Sequence, residues 1–371
     1  MNFSNTLIYW YLQTKRELPW RKTRDPYLVW LSEIILQQTR VSQGMSYYLA
    51  FSTVFPTVED LANAEESKVL KMWQGLGYYS RARNLHFTAK YISNELSGKF
   101  PTSYKELIKL KGIGDYTASA ISSICFNEPA AVVDGNVYRV LARFFKIETP
   151  INSTKGIKEF KSLAQTLIDA KNPGVYNQAI MDFGALQCKP KSPNCFECPM
   201  SSNCIAFEKK LVKDFPVKEK KLKVKRKYFN FLVFVTNQHT TIFEKRKGRG
   251  IWQGLYQFPL LETNGEVHAE DLVNIPDFQA MVSTNAQLHL FNHNLIIHKL
   301  SHQHLFTKFW IIKIDHHDRA TTQWDSLEQF PTSVLIANFM KEYNLVAQRF
   351  LKMLLPNTIS KKVLVAKTLS T

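Results

Sequence analysis

Several things are scarce in this 371-residue sequence, and each scarcity removes a class of protein. No apolar run approaches the ~20 residues that a membrane-spanning helix needs, so no membrane protein is expected. The opening stretch, MNFSNTLIYWYLQTKRELPW, lacks a basic start and a small-residue cleavage site, and no secretory leader is expected. No segment repeats at a fixed period. Acidic side chains are in deficit, with 31 Asp plus Glu against 48 Lys plus Arg, which leaves a formal charge of +17. Such an excess favours a polyanionic partner, nucleic acid before an acidic membrane, although a surplus for solubility gives the same count. Cysteine is scarce as well: there are five, and four fall within residues 188–204. That crowding suits a metal site in a reducing compartment rather than a secreted disulfide framework. The fifth, Cys125 in AISSICF, reads as a packed core thiol.

The remaining composition is ordinary for a folded chain, with 45% hydrophobic and 21% charged residues and a length that fits two domains. Residues 1–211 read as mostly helical. Asp25 followed by Pro26 marks a helix start, a capping side chain before proline at the first helical position. That helix is expected to run through YLVWLSEIILQQTRV, and further helical patterns cover 57–72, 81–97, 103–110, 116–126, 136–145, 155–170 and 175–186. The stretch KDFPVKEKKLKVKRK has no apolar periodicity, so residues 212–227 read as an exposed basic linker able to lie along phosphates. Beyond it, YFNFLVFV, TTIFEKR and HLFTKFWIIKI read as strands and SLEQFPTSVLIANFMKEY carries a helix, an α+β domain over 228–346 before a basic tail at 347–371.

Four segments carry chemistry. In LSEIILQQTR, a carboxylate at Glu33 sits amid an apolar helix surface, where it must be exposed, paired or protonated. In LKGIGDYTASAI, Gly112 and Gly114 lie between two helical segments. A turn of that kind brings backbone N–H groups close to a phosphate at a helix N-terminus, and an ordinary tight turn also fits it. In VVDGNVYRVLAR, Asp134 stands where a helix begins, as a structural cap or as a second functional acid. In CKPKSPNCFECPMSSNC, Cys188, Cys195, Cys198 and Cys204 follow the spacing C-x6-C-x2-C-x5-C. Zinc sites use paired short knuckles, whereas an iron–sulfur cluster accepts one compact run, so the cluster is the favoured reading.

Taken in order, LSEIILQQTRV, GLGYYSRARNL, LKGIGDYTASAI, VVDGNVYRVLAR and the cysteine run resemble the endonuclease III superfamily of helix–hairpin–helix DNA glycosylases. Within it they resemble the adenine DNA glycosylases of the MutY type, closely over roughly residues 9–205 and loosely beyond. The resemblance implies a multidomain chain. A mainly α glycosylase domain, with a six-helix barrel and an iron–sulfur helical part holding a 4Fe-4S cluster, would precede an α+β Nudix-like domain. It implies removal of adenine paired with 8-oxoguanine or guanine in double-stranded DNA by a cytoplasmic monomer, nucleoid-associated in a bacterium, with the adenine flipped into a cleft.

The resemblance also assigns roles. Glu33, with its acidity weakened by apolar neighbours, would protonate the departing adenine at N7, while an ionised Asp134 stabilises the oxocarbenium-like sugar or attacks it transiently. As residues alone, Glu33 also fits a buried acid paired with Arg16 or Arg21. Tyr116 occupies the place where lyase-competent relatives carry lysine, which implies little strand nicking, and its hydroxyl would orient Asp134. Gln38, Thr39, Leu76 and Tyr78 would wedge into the duplex and meet 8-oxoguanine, and Arg16, Trp20, Arg21 and Gln178 would line the adenine pocket.

In the C-terminal part, GRGIWQGLYQFP resembles a Nudix entry, but the LLETNGEVHAEDL that follows lacks the glutamate cluster that would hold Mg²⁺. No nucleotide pyrophosphatase activity is therefore expected. HKLSHQH resembles the family's 8-oxoguanine-reading loop, with Leu300 in the usual Phe position and Ser301 and His302 available as hydrogen-bonding groups.

Overall fold

The computed structural model describes residues 2–219, 224–282, 286–315, 317 and 319–354, without the side chains of 346–354. The chain divides into two compact units, Met1–Lys223 and Val224–Thr371.

The first unit is helical throughout. Helix α1 (Phe3–Thr14) precedes α2 (Pro26–Leu36), α3 (Val41–Val54), α4 (Val58–Asn63), α5 (Glu66–Met72), α6 (Ser80–Glu95), α7 (Tyr104–Leu107) and α8 (Asp115–Phe126). Helices α9 (Gly135–Phe144), α10 (Thr154–Leu167), α11 (Pro173–Asp182) and α12 (Ile205–Glu208) follow. Two cores result. In one, α2 packs on α3 and α8, burying Leu31, Ile34, Ile35, Phe51, Trp73 and Ile121. In the other, α1 lies along α11, and Leu7 and Tyr11 join Val137, Leu141, Phe160 and Ile180. The cleft described below lies within this unit, bordered by helices from both cores.

The start of α2 is as expected: the Asp25 side chain accepts from the Tyr27 N–H and Pro26 occupies the first turn. Its end is not. The helix stops at Leu36, Gln38 turns left-handed at φ 54°, and a separate α3 begins at Val41. The expected helix over 57–72 is likewise two helices, because the N-cap of α5 is extended at Glu65. Residues 212–219 are not an exposed linker. Phe215 is buried, its carbonyl accepts from Arg143 Nε at 3.2 Å, and the Val217 carbonyl accepts from the Ile151 N–H at 3.0 Å. Of the expected linker, 220–223 lie outside the described residues, as do 355–371 of the expected tail.

The second unit is built on a mixed sheet. Strand β1 (Lys225–Thr236) runs parallel to a long late strand (Gln303–Ile314) and antiparallel to Leu260–Thr263, while Gln287–Leu290 and Ile296–Lys299 both pair antiparallel with the long strand. Phe229, Phe231, Phe309 and Phe258 fill its core together with Phe339 from the C-terminal helix. Between Ile296–Lys299 and Gln303–Ile314 the chain reverses tightly, with the Leu300 N–H donating to the Gln303 carbonyl at 2.9 Å. Ser301 and His302 stand exposed at that tip.

Candidate active site

Helix α2 brings Glu33 to the wall of a cleft of about 660 Å³, large enough for a nucleobase with its sugar. Ile34 and Ile35 turn inward and are buried, while Glu33 borders the cleft together with Val29, Ser32 and Leu36 of the same helix. Tyr116, on the first turn of α8, and Asp134, the N-cap of α9, line the same space. So do Arg16, Trp20, Arg21, Thr39 and Gln178.

Protein crowds the Glu33 carboxyl on all sides but the cleft, and this desolvation raises its pKa from 4.5 to about 7. A hydrogen bond from Tyr116 and the charge of Arg21 oppose the rise, and the Asp134 charge adds to it. Neither Arg16 nor Arg21 pairs with Glu33. Both are drawn to Asp182, which is fully buried at the end of α11. Arg21 reaches it at 2.6 and 2.8 Å, and Arg16 reaches it through Nε at 3.0 Å and through Nη2.

Asp134 accepts three hydrogen bonds, from the Asn136 N–H at 2.9 Å, the Val137 N–H at 2.8 Å and Asn136 Nδ2 at 2.8 Å. Burial moves its pKa upward from the carboxylate norm, and these donors, with Arg139, act against it. The expected Tyr116–Asp134 hydrogen bond is not found among the described residues. Tyr116 turns to Glu33 and to Met181 Sδ at 3.1 Å, and burial holds its phenol well above its usual pKa. The orienting group for Asp134 is Asn136. Its amide oxygen accepts in turn from Arg139 Nη2 at 2.8 Å, and Arg139 Nε donates to the Cys188 carbonyl at 2.8 Å.

Gln178 is held by the Tyr11 hydroxyl, which donates to its Oε1 at 2.7 Å, and Trp20 is buried edge-on against Tyr48. Of the four residues expected at the duplex, Gln38 is exposed, Tyr78 is 47% exposed, and Thr39 borders the cleft. Leu76 is only 7% exposed and packs inward, so the structure does not present it as a wedge. At the hairpin, Gly112 has φ 82°, and a Cβ there would lie 2.7 Å from Asn84 Cβ. Only glycine fits this turn, which leaves Lys111, Gly112 and Gly114 exposed before α8.

Cys188, Cys195, Cys198 and Cys204 border one apolar cavity, together with Arg143 and Met200, and none forms a disulfide. Burial and their mutual proximity push the Cys198 thiol up to about 11, and Cys195 and Cys204 rise for the same reasons. Among the described residues, no three potential ligands converge as they would on a single ion. A cubane cluster needs no such convergence, since each thiolate binds a different iron at a separate corner. Four thiols around one cavity match the all-cysteine donor set of an iron–sulfur cluster. Cys125, apart from them, is partly buried, and burial raises its thiol to about 12.

Sequence reasoning missed Asp182, Asn136 and Arg81. Asp182 stands four residues after Gln178 and one after Met181, which places all three toward the same helix face, and that spacing was its only available signal. Arg81 bonds to backbone carbonyls, which no side-chain pattern reveals.

Residues 31–165 match the HhH-GPD superfamily of base excision DNA repair proteins, and residues 230–342 match the NUDIX domain. An adenine DNA glycosylase of Buchnera aphidicola subsp. Schizaphis graminum is 38% identical over 262 residues, covering 70% of this chain and 75% of the relative. That of Buchnera aphidicola subsp. Baizongia pistaciae is 36% identical over 314 residues, covering 84% and 86%. The Homo sapiens adenine DNA glycosylase is 43% identical over 216 residues, 56% of this chain and 40% of that protein. Among solved structures, a thermostable thymine-DNA glycosylase superposes with a TM-score of 0.52 at 32% identity, over 56% of this chain and 95% of that one. No helix among the described residues is long and apolar enough to cross a membrane.

Proposed function

Because this chain belongs to the adenine DNA glycosylases of base excision repair, we propose that its cleft takes an adenine everted from duplex DNA opposite 8-oxoguanine or guanine and hydrolyses its N-glycosidic bond. The observation that carries this reading is the meeting of Glu33, Tyr116 and Asp134 on one cleft, with both nearby arginines engaged by Asp182.

Adenine is a poor leaving group as an anion. Glu33, protonated near neutral pH, gives its proton to N7, so that the C1′–N9 bond breaks with its electron pair passing to a neutral base. The sugar is left as an oxocarbenium ion, and Asp134, facing three donors as an anion, stabilises the positive charge. Water adds to C1′ and its proton returns to the Glu33 carboxylate. Tyr116 has no amine for a Schiff base, so the strand stays intact. Arg16, Trp20, Arg21 and Gln178 hold the adenine. Gln38, Thr39 and Tyr78 meet the duplex, Tyr78 acting as the wedge in place of the buried Leu76. Gly112 and Gly114 offer backbone N–H groups to a phosphate.

The four cysteines would hold a 4Fe-4S cluster that serves to fold and stiffen this region; no catalytic step passes through it. Ser301 and His302, at a tight hairpin tip, offer hydrogen bonds to the modified purine, and the C-terminal unit has no pyrophosphatase role.

The test is single-turnover base release from duplexes carrying A opposite 8-oxoguanine, A opposite G, and T opposite G. Adenine release from the first two without strand cleavage is expected. Thymine release with adenine untouched would replace this reading with that of a thymine mismatch enzyme.

A further inference from the structure

Arg81, in the first turn of α6, joins two segments that lie some forty residues apart in sequence. Its Nη1 donates to the carbonyls of Ile34 at 2.9 Å, Ile35 at 3.1 Å and Gln37 at 2.5 Å, the groups that the end of α2 leaves without helical partners. Its Nη2 donates to the carbonyls of Leu76 and Gly77, both at 3.3 Å, in the loop ahead of α6. The guanidinium also lies against the rings of Trp73, 5.1 Å from the centroid, and Tyr78, 5.6 Å away. Nε is buried without a partner, a cost accepted for this arrangement. Burial lowers the pKa to about 10, and Arg81 remains a cation at neutral pH.

The two tethered segments share an unusual feature. Each holds a residue other than glycine in the left-handed region, Gln38 at φ 54° and Tyr78 at φ 46°. Such conformations persist only where the surroundings fix them. Here the same side chain binds the backbone beside both, and both residues are turned outward.

We propose that Arg81 is a positioning residue that sets the spacing between the Gln38 turn and the Tyr78 loop, so that the two meet a lesion-bearing duplex as one prebuilt surface. This rests on the reading of Gln38 and Tyr78 as duplex contacts given above. A planar fork is required: a lysine ammonium supplies charge at a point and cannot bridge carbonyls on two sides while stacking on an aromatic ring.

The experiment compares wild type with Arg81→Gln, Arg81→Lys, Tyr78→Ala and the Arg81→Gln/Tyr78→Ala double variant. It measures single-turnover adenine release opposite 8-oxoguanine at saturating enzyme, affinity for undamaged duplex, and melting temperature. Arg81→Gln is expected to slow release by about tenfold or more, since displaced contacts remote from the bond carry costs of that order. Affinity for undamaged duplex should stay within about twofold, and Arg81→Lys should restore little. Because Arg81 acts through the positions of Tyr78 and the Gln38 turn, the two single-variant losses should fall short of additive in the double variant. Additive losses, or a lowered melting temperature with unchanged release, would overturn the inference. If Arg81→Gln does not fold, the same cycle run with Arg81→Lys decides it. Tyr78→Ala releasing adenine at the wild-type rate defeats the duplex-contact reading, whereas a slow Tyr78→Ala beside a fast Arg81→Gln defeats this inference alone.

Discussion

Asp182 and Arg21 form a two-point ion pair, Nη1 to Oδ2 at 2.6 Å and Nη2 to Oδ1 at 2.8 Å, in which the carboxylate is fully buried. The charge of Arg21 also bears on Glu33, lowering its pKa against the effects of burial and Asp134. Asp182 therefore does more than hold Arg21 in place: its carboxylate offsets a cation whose charge favours ionisation of Glu33.

Replacing Asp182 with Asn should move the Glu33 titration below its value of about 7. Arg21 and Arg16 are then uncompensated, while Tyr116, Asp134 and Arg139 stay as they are around the cleft. In a pH profile of single-turnover base release, the descending limb should shift to lower pH and the rate at pH 8 should fall. An unmoved limb would show that Asp182 has no electrostatic hold on Glu33.

Glu33→Gln should lose about 10²- to 10⁴-fold in base release, the usual contribution of a positioned general acid, and should gain stability at alkaline pH. The unfolded carboxyl titrates near 4.5 and the folded one near 7, so between these values the native state keeps a proton that the unfolded state has lost. Wild-type stability thus falls as pH rises through that window, by on the order of 3 kcal/mol at its end. Thermal melts from pH 4 to 8 should show this slope in wild type and its absence in Glu33→Gln.

Gly112→Ala forces a side chain into φ 82° and within 2.7 Å of Asn84 Cβ, which must displace the hairpin. The expected effect is weaker binding to damaged and undamaged duplex alike, with base release at saturating enzyme little changed. Equal affinities for wild type and variant would remove Gly112 from the DNA interface.

Iron and inorganic sulfide should be found in equal amounts in protein purified without oxygen. Cys198→Ala should lose both, along with cooperative melting of the unit that carries it. Zinc in their place, at one ion per chain, would refute the cluster.

What could be read from the sequence was whatever depends on neighbours in the chain. The Asp25–Pro26 helix start is local capping chemistry, the cysteine run is a spacing, and the Asp134 cap follows from the residues after it. The end of α2 was illegible, because LSEIILQQTRV is helical in pattern and is stopped by Arg81 from elsewhere in the fold. Helix α3 was missed because its first turns carry Gly44, which breaks the apolar rhythm. Leu76 was expected at the duplex from its motif, yet burial is decided by the packing of α5 and α6, which no motif records. Tyr116 was placed correctly in the cleft but given the wrong partner, since Asn136 already satisfies Asp134.

Asp134 sits at the head of α9 and caps it with two backbone hydrogen bonds, so under the proposed reaction one side chain would serve both architecture and catalysis. Asparagine caps a helix about as well as aspartate. A single amide-for-acid exchange at this site would leave a stable, well-made chain that still finds and grips its mispair, having lost only the power to finish. Such a molecule would escape the proteases that clear unfolded chains and would stand on the damage it cannot mend, keeping other repair enzymes off it.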